Sequence, residues 1–168
     1  MTISQSLLGE LDHEAAGTRK TLERLPEGKF DFRPHPKSPT LGWMAGHLVQ
    51  LTYWGVMTCK RSGVDLAGQE AQERPSEPAS AEEALATFDK HLAGFRAALE
   101  STTDAQMMEP WTLRMGEQVI FTMPRVAVLR SMVFNHIVHH RAQLTVYLRM
   151  NGVPVPALYG PSADERNP

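Results

Sequence analysis

The chain has very little cysteine and no long apolar run. Cys59 is its single cysteine among 168 residues, so no disulfide can form within the chain. No stretch approaches the roughly 18 consecutive apolar residues that a membrane-spanning helix needs. The start of the chain also lacks the basic segment and apolar run of a secretory signal. We therefore expect a cytoplasmic protein with no membrane partner.

The chain also has no large excess of positively or negatively charged residues. The chain has 17 lysine and arginine residues against 19 aspartate and glutamate residues, for a formal net charge of -2. Nucleic-acid-binding domains usually carry a basic patch or stripe. We therefore expect no nucleic-acid partner.

What the chain does have is enough apolar sequence for a core. Hydrophobic residues make up 42% of it. Its length of 168 residues is typical of one domain. We expect a single helical-bundle domain that spans residues 1–168.

Apolar residues spaced three and four apart predict four amphipathic helices. Their ranges are about residues 3–25, 40–61, 80–99 and 122–151. Residues 111–121, around Gly116 and Glu117, are instead compatible with a short β-hairpin. The tail from Val153 onward is proline-rich and is expected to be irregular.

Four amphipathic helices bury their apolar faces by packing into a bundle. Residues 62–79 form a long, glycine- and proline-containing connection between the second and third helices. At about 3.3 Å per residue, that connection can cross the whole bundle. Helices 2 and 3 can therefore be parallel, or all four helices can simply alternate in direction. The predicted fold class is all-α, a four-helix bundle.

Three histidines are the strongest functional signal. His136 and His140 are four residues apart, slightly more than one helical turn, so both point from the same helix face. His47 lies on the core-facing stripe of the second helix. Three neutral imidazoles with one open position are the ligand set of a catalytic metal site. A buried histidine with an ordinary hydrogen-bond partner is the simpler interpretation of His47 taken alone.

His139 is the alternative ligand in the fourth helix. It lies about 100° around the helix from His140, and it could pair with His136 at a spacing of three residues. The stripe that carries His136 and His140 also carries Leu129 and Val133. Because this stripe is the better core face, we predict that His136 pairs with His140.

Four neighbouring residues are candidates for a pocket around the metal. Trp43 and Tyr147 lie on the ligand-bearing faces, where they either line the pocket or are plain core aromatics. Arg141 either binds an anionic group of a substrate or forms a surface or interface ion pair. Gln143 is a candidate to orient a metal ligand.

Two segments resemble a known family. Residues 41–48, with the sequence LGWMAGHL, and residues 135–144, with the sequence NHIVHHRAQL, are similar to motifs of the DinB/YfiT-like superfamily of four-helix-bundle metalloenzymes. The similarity continues through residues 147–149 and the tail at residues 152–161. The first and third helices contribute only their periodicity.

This resemblance implies an up-down-down-up bundle, often a homodimer, with a long crossover between helices 2 and 3. It also implies one divalent metal ion held by His47, His136 and His140. Imidazole suits several metals, and we expect zinc or nickel first, with iron or manganese as alternatives. Family members of assigned activity are thiol-dependent transferases or isomerases that use thiols such as bacillithiol or mycothiol. Other members are stress-inducible.

The leading hypothesis is a metal-dependent enzyme that transfers a low-molecular-weight thiol to an electrophilic small-molecule substrate. A metal-dependent hydrolase, in which water replaces the thiol, needs the same three ligands. A non-catalytic metal-binding module of the stress response is an alternative. A metal-free bundle that acts by dimerisation is another.

Overall fold

Four long helices form the body of the protein, seen here in a computed structural model that describes residues 1–68 and 77–166. In chain order the helices and strands are α1 (Ile3–Leu22), α2 (Leu41–Lys60), β1 (Gly63–Asp65), α3 (Ala81–Ser101), α4 (Asp104–Met108), β2 (Pro110–Met115), β3 (Gln118–Pro124), α5 (Arg125–Val128) and α6 (Asn135–Met150), with a π-helical segment, Leu129–Phe134, between α5 and α6. The protein is therefore mostly helical. Part of the predicted long connection, residues 69–76, lies outside the described residues.

The first three long helices begin at side-chain caps. Thr2, Thr40 and Ser80 each accept a hydrogen bond from the backbone amide three residues later. Such a bond satisfies an amide that has no partner inside the helix. Thr40, seven residues before His47, therefore fixes the start of α2.

α2 packs against α3 and α6, and α1 packs against the same two helices. Gly46 in the first half of α2 lies against Pro78, three residues before the start of α3. Gly55 in the second half of α2 lies against Phe95 in the second half of α3. α2 and α3 therefore run in the same direction.

The other helix pairs are tied by polar contacts. Ser4 near the start of α1 donates to the carbonyl oxygen of Thr102 just after α3, at 2.5 Å. Arg19 near the end of α1 pairs with Asp89 in the first half of α3, so these two helices run in opposite directions. α1 therefore runs opposite to both α2 and α3, and the up-down-down-up order of all four helices stays a prediction.

A three-stranded sheet corrects the all-α class expected from the sequence. β2 and β3 form an antiparallel hairpin, and β1 pairs in parallel with β2. The hairpin turns at Gly116, whose φ of 60° is in the left-handed region that favours glycine. The hairpin agrees with the local pattern, but β1 comes from the connection after α2 and pairs with residues far along the chain. The pattern of the connection alone could not show that pairing.

The predicted start of the fourth long helix at Thr122 is also wrong. Residues up to Pro124 belong to β3, because Thr122 pairs with Thr112 and Pro124 pairs with Pro110 across the hairpin. The helix begins only at Arg125. Pairing with a neighbouring strand therefore outweighed the local helix signal.

The sheet has a small core of its own. Trp111 and Leu113 point inward from β2 and pack with Met57, Val64 and Val128. This cluster lies at the end of α2 that is remote from His47. A separate, larger cluster fills the space between the long helices.

Membrane insertion has no candidate helix here. Within residues 1–68 and 77–166, none of the helices is both long enough and apolar enough to cross a bilayer.

The close contact between α2 and α3 depends on Gly55, which has no side chain. A Cβ atom at Gly55 would lie 2.5 Å from the Phe95 ring, and that ring is fully buried. A Cβ atom at Gly94 would instead meet Val56 Cγ2 at an ordinary 3.5 Å. Glycine at position 55 therefore allows the two helices to approach closely.

We predict that Gly55→Ala is less stable than Gly94→Ala. Both substitutions gain the same helix propensity, about 1 kcal/mol, so the difference between the variants reports the overlap with Phe95. Urea denaturation should give a free energy of unfolding lower by at least about 1 kcal/mol for Gly55→Ala. Equal stabilities would contradict the close approach of α2 and α3.

Candidate metal centre

Three imidazole rings meet in the gap between α2 and α6. His47 comes from α2, and His136 and His140 come from α6. The Nε2 atom of His136 lies 3.3 Å from that of His47 and 2.8 Å from that of His140. One nitrogen from each ring lies within 4.8 Å of the others, and all three residues are half-buried. The structure therefore brings together the three histidines singled out in the sequence.

The π-helical segment ends directly before the helix that carries two of these histidines. π-Helical turns are frequent at functional sites. Nδ1 of His136 lies 3.3 Å from the carbonyl oxygen of Met132 within that segment. This carbonyl can only accept a hydrogen bond, so Nδ1 donates and the ring is oriented. Sequence periodicity gave no sign of the π-helical segment or of this contact.

His140 has an equivalent partner. Its Nδ1 donates to Oε1 of Gln143 at 2.7 Å. With a proton on Nδ1 of both rings, each Nε2 carries a lone pair instead of a proton. The Nε2 atoms of His136 and His140 then face each other at 2.8 Å as two acceptors. A cation between them removes that repulsion.

Burial keeps both rings neutral. Loss of hydration lowers the pKa of His136 and that of His140 below 6.5. The hydrogen bonds from Nδ1 to Met132 and Gln143 oppose this pKa shift but are the smaller effect. Neutral imidazole is the form that binds metals.

The positions of the nitrogens fit a metal ion. Zinc–nitrogen bonds of about 2.0–2.1 Å at tetrahedral angles place two ligand nitrogens about 3.3 Å apart. The Nε2 atoms of His47 and His136 have this separation, 3.3 Å. The pair from His136 and His140 is closer, at 2.8 Å. Three imidazole nitrogens are therefore spaced to hold a divalent ion, and a tetrahedral ion held by them would have its fourth position open.

His139 lies beside this cluster. Its ring centroid is 4.8 Å from that of His140, and the residue is exposed on α6. The group of ligand atoms found among the described residues contains His47, His136 and His140. The geometry therefore favours His136 with His140 over His136 with His139.

Trp43 forms a wall next to the three histidines. Its ring stacks on His47, with centroids 4.7 Å apart and 19° between the planes. It also meets the His140 ring nearly at right angles, with centroids 6.3 Å apart. Trp43 is 38% exposed, and with Arg33 and Lys37 it lines an open cleft of about 620 Å³. The residue therefore joins the histidine cluster to a space large enough for a small molecule.

Tyr147 makes different contacts. Its hydroxyl donates to the carbonyl oxygen of Pro39 at 3.1 Å, and its ring meets the edge of Phe32. The side chain is buried. Tyr147 therefore holds the segment before α2 against α6, and a direct role in the pocket stays a prediction.

Arg141 points to α1, whereas the three histidines lie between α6 and α2. Its guanidinium is 2% exposed and forms an ion pair with Glu14 at 2.5 Å. It also donates to Thr18 and to the hydroxyl of Tyr159. A role for Arg141 toward a substrate at the histidines stays a prediction.

The partners of Arg141 were missed in the sequence. Glu14 lies three residues after Leu11 and four before Thr18, so it occupies the apolar stripe of α1. A carboxylate on a core-facing stripe indicates a buried cation opposite it. That signal was available, but it did not identify Arg141 as the cation.

The chain matches a known protein family over most of its length. A model of the DinB superfamily matches residues 10–144, a region that contains all three histidines. The chain belongs to the DinB superfamily. The resemblance drawn from the sequence motifs is therefore confirmed.

Known proteins are similar to this chain over almost its whole length. The uncharacterized protein YrdA of Bacillus subtilis (strain 168) is 29% identical over 154 residues, which cover 92% of this chain and 86% of YrdA. A DinB-like protein from Bacillus cereus ATCC 10987 is 27% identical, with a TM-score of 0.71 over 94% of this chain and 98% of that one. The DinB-like protein YjoA of Bacillus subtilis is 15% identical, with a TM-score of 0.70 over 91% and 96%. The likeness to YjoA concerns the fold alone.

We predict that the metal-free protein loses stability as the pH falls below about 6.5. Burial lowers the pKa of His136 and His140 in the folded state, so the unfolded chain binds protons first. The contribution of the two neutral rings to the free energy of unfolding is fully present above the ordinary histidine pKa. It is lost as the pH falls through their lowered pKa values in the folded state. After chelation, urea denaturation should give a free energy of unfolding that depends less steeply on pH in the double variant His136→Gln/His140→Gln than in the parent. His35→Gln, in an exposed loop, is the control, and equal slopes for all three proteins would contradict the assignment.

Proposed function

We propose that this DinB-superfamily protein binds one divalent metal ion through His47, His136 and His140. With that ion it transfers a low-molecular-weight thiol to an electrophilic small molecule. The observation that carries the proposal is the meeting of the three imidazoles with Nε2 atoms 2.8 and 3.3 Å apart. Zinc or nickel is the proposed ion, with iron or manganese as alternatives.

The ligand count supports a catalytic site. Structural zinc sites usually have four protein ligands, whereas catalytic sites have three and an exchangeable position. Within the part of the chain that the structure describes, the ligand group consists of the three histidines and includes no cysteine or carboxylate. This favours an enzyme over a non-catalytic staple between helices.

A divalent ion held by neutral imidazoles supplies an uncompensated charge that lowers the pKa of a thiol or a water beside it. The protein's own part is to keep the three donors in place. The Met132 carbonyl and the Gln143 amide oxygen accept the Nδ1 protons and so leave both Nε2 atoms as donors. Such partners of metal-binding histidines raise their basicity and fix their orientation.

Trp43 and the cleft beside it supply the space for the two reactants. The indole ring covers one face of His47 and so excludes water from that side. The cleft is lined by two cationic side chains, Arg33 and Lys37, and by two carboxylates, Asp31 and Glu77. Because Trp43 lines the cleft and also stacks on His47, an electrophile bound there would be held beside the wall of the proposed metal site instead of meeting it from solution.

We predict that protein purified without a metal-affinity tag contains about one equivalent of a divalent metal. His140→Ala should contain essentially none, because only two ligands remain. Elemental analysis measures both. Chelation should also lower the melting temperature, since an ion bound only to the folded state stabilises it by mass action.

His139→Ala is the matched control, because it removes the neighbouring histidine instead of a ligand. Its metal affinity should stay within a few fold of the parent. Loss of metal in this variant would move the α6 pair to His136 and His139. If a variant with alanine at positions 47, 136 and 140 kept one tightly bound equivalent, the site would be elsewhere.

We further predict that a small thiol reaches the metal. Addition of mercaptoethanol to the cobalt-substituted protein should produce a sulfur-to-cobalt charge-transfer band in the near ultraviolet and release a proton. An open site that binds cobalt but shows no such band would favour hydrolysis by metal-activated water. A fourth protein ligand in the cobalt spectrum would favour the non-catalytic staple. The homodimer and the role in stress response stay predictions of the family resemblance.

A further inference from the structure

A second cleft lies on the α1 side of α6. Its volume is about 380 Å³, within the range of about 300–1,000 Å³ that is usual for small-molecule sites. Two turns of α1, from His13 to Lys20, form one wall, Arg141 forms the base, and residues 157–159 of the tail form the other wall. The proposed metal centre lies in the other gap of α6, toward α2. The two sites therefore do not share a lining residue.

The polar groups that line this cleft are cationic or neutral. Lys20 and His13 come from α1, and Arg141 comes from α6. None of the described lining residues is a carboxylate. Neighbouring carboxylates already have partners: Glu14 accepts from Arg141 and from the hydroxyl of Tyr159, and Glu165 pairs with Arg24 and accepts from the amide of Ala157.

Arg141 still has one donor to offer. Its two terminal nitrogens donate to Glu14, to Thr18 and to the hydroxyl of Tyr159. Its Nε atom donates to no atom of the residues that the structure describes, and it is not among the atoms that are fully buried without a partner. A guanidinium fixed on two sides by neighbours presents its remaining N–H in a set direction.

The rest of the lining is apolar. Ala16 leaves room on α1, because its side chain is small and exposed. The space beside Gly17 is filled by Arg141 and Leu158, which a Cβ atom there would meet at 3.0 and 3.2 Å. The ring of Tyr159 faces α1 from the tail. The Tyr159 ring also lies 5.9 Å from the ring of His13 at the rim. A flat or short apolar body can pack between these walls.

The geometry points to a second ligand site here, for a small organic carboxylate with an apolar body. The carboxylate binds Lys20 and the Nε–H of Arg141, and the body packs against Leu158 and Tyr159. The site does not depend on the proposed metal or on thiol transfer. Its ligand class follows from cations at one end and apolar walls without a lining carboxylate.

Benzoate is the probe, with benzamide as its uncharged counterpart of nearly the same shape. Both are titrated to millimolar concentration into the full-length protein, and amide shifts are followed by heteronuclear NMR. We expect benzoate to shift the amides of residues 13–20, 141 and 157–159, with an affinity at least tenfold above that of benzamide. Inorganic phosphate tests charge alone and should bind at least tenfold more weakly than benzoate.

Two variants test the two halves of the site. Lys20→Gln should weaken benzoate about fivefold, the size expected for an exposed ion pair. Ala16→Leu should abolish binding by filling the cleft, and position 16 is exposed enough to accept the larger side chain. Lys29→Gln and Ala142→Leu make the same changes at exposed positions outside the cleft, and both should bind benzoate like the parent.

Each other outcome overturns the inference. No shifts with benzoate at millimolar concentration would mean that the cleft is not a ligand site. Equal binding of benzamide, or of phosphate, would exclude the carboxylate with an apolar body as the ligand class. Shifts that persist in Ala16→Leu, with the variant folded by its melting curve, would place the benzoate elsewhere. Loss of metal in His140→Ala leaves all these expectations unchanged, so the two proposals fail separately.

Discussion

The contact between the three imidazoles of α2 and α6 sets how precisely these two helices must be placed. The Nε2 atom of His136 lies 3.3 Å from that of His47 and 2.8 Å from that of His140, and the proposed metal site would tolerate misplacement of only about 0.5 Å. The two helices must therefore be held in a fixed relation along their whole length. At one end, the Tyr147 hydroxyl on α6 donates to the carbonyl of Pro39, just before α2. At the other end, the buried Arg125 donates from Nε to the carbonyl of Thr58.

The small sheet belongs to the same support. It covers the end of α2 that is remote from the histidines, where Trp111 packs in a cluster with Met57 and Val128. Arg125 follows β3 directly, and its guanidinium also reaches the carbonyl of Arg61 after α2. The hairpin therefore delivers the cation that ties the end of α2 to the start of the long helical run. A bundle of helices alone would leave those terminal carbonyls of α2 without this partner.

Successive residues of α6 face two different gaps between helices of the bundle. His140 and Arg141 are adjacent in sequence, and one residue is about 100° around a helix. His140 therefore faces α2 and the proposed metal, while Arg141 faces Glu14 on α1. Both residues need neighbours that satisfy them, Gln143 for the imidazole and Glu14 for the guanidinium. An isolated polar group in either gap would be costly to bury.

Local sequence patterns were enough to predict the helical character, the family and the three histidines that come together. Apolar periodicity marks α1, α2 and α3, and the four-residue spacing of His136 and His140 places both rings on one face of a helix. Local patterns carry such information because each depends on residues within one or two turns. The hairpin around Gly116 belongs to the same class of local signal.

The partners of those residues come from segments that lie far apart in the chain. Two of these contacts join distant segments: β1 pairs with β2, and Arg141 forms an ion pair with Glu14. The π-helical segment before His136 is a local change in helix geometry that depends on the residues packed against it. The sequence likewise assigned residues 122–124 to a helix, while the hairpin takes them into β3. The physical reason is that burial, strand pairing and charge compensation are satisfied between segments. A local pattern shows that a residue needs a partner, and the packing of the whole chain determines which partner it finds.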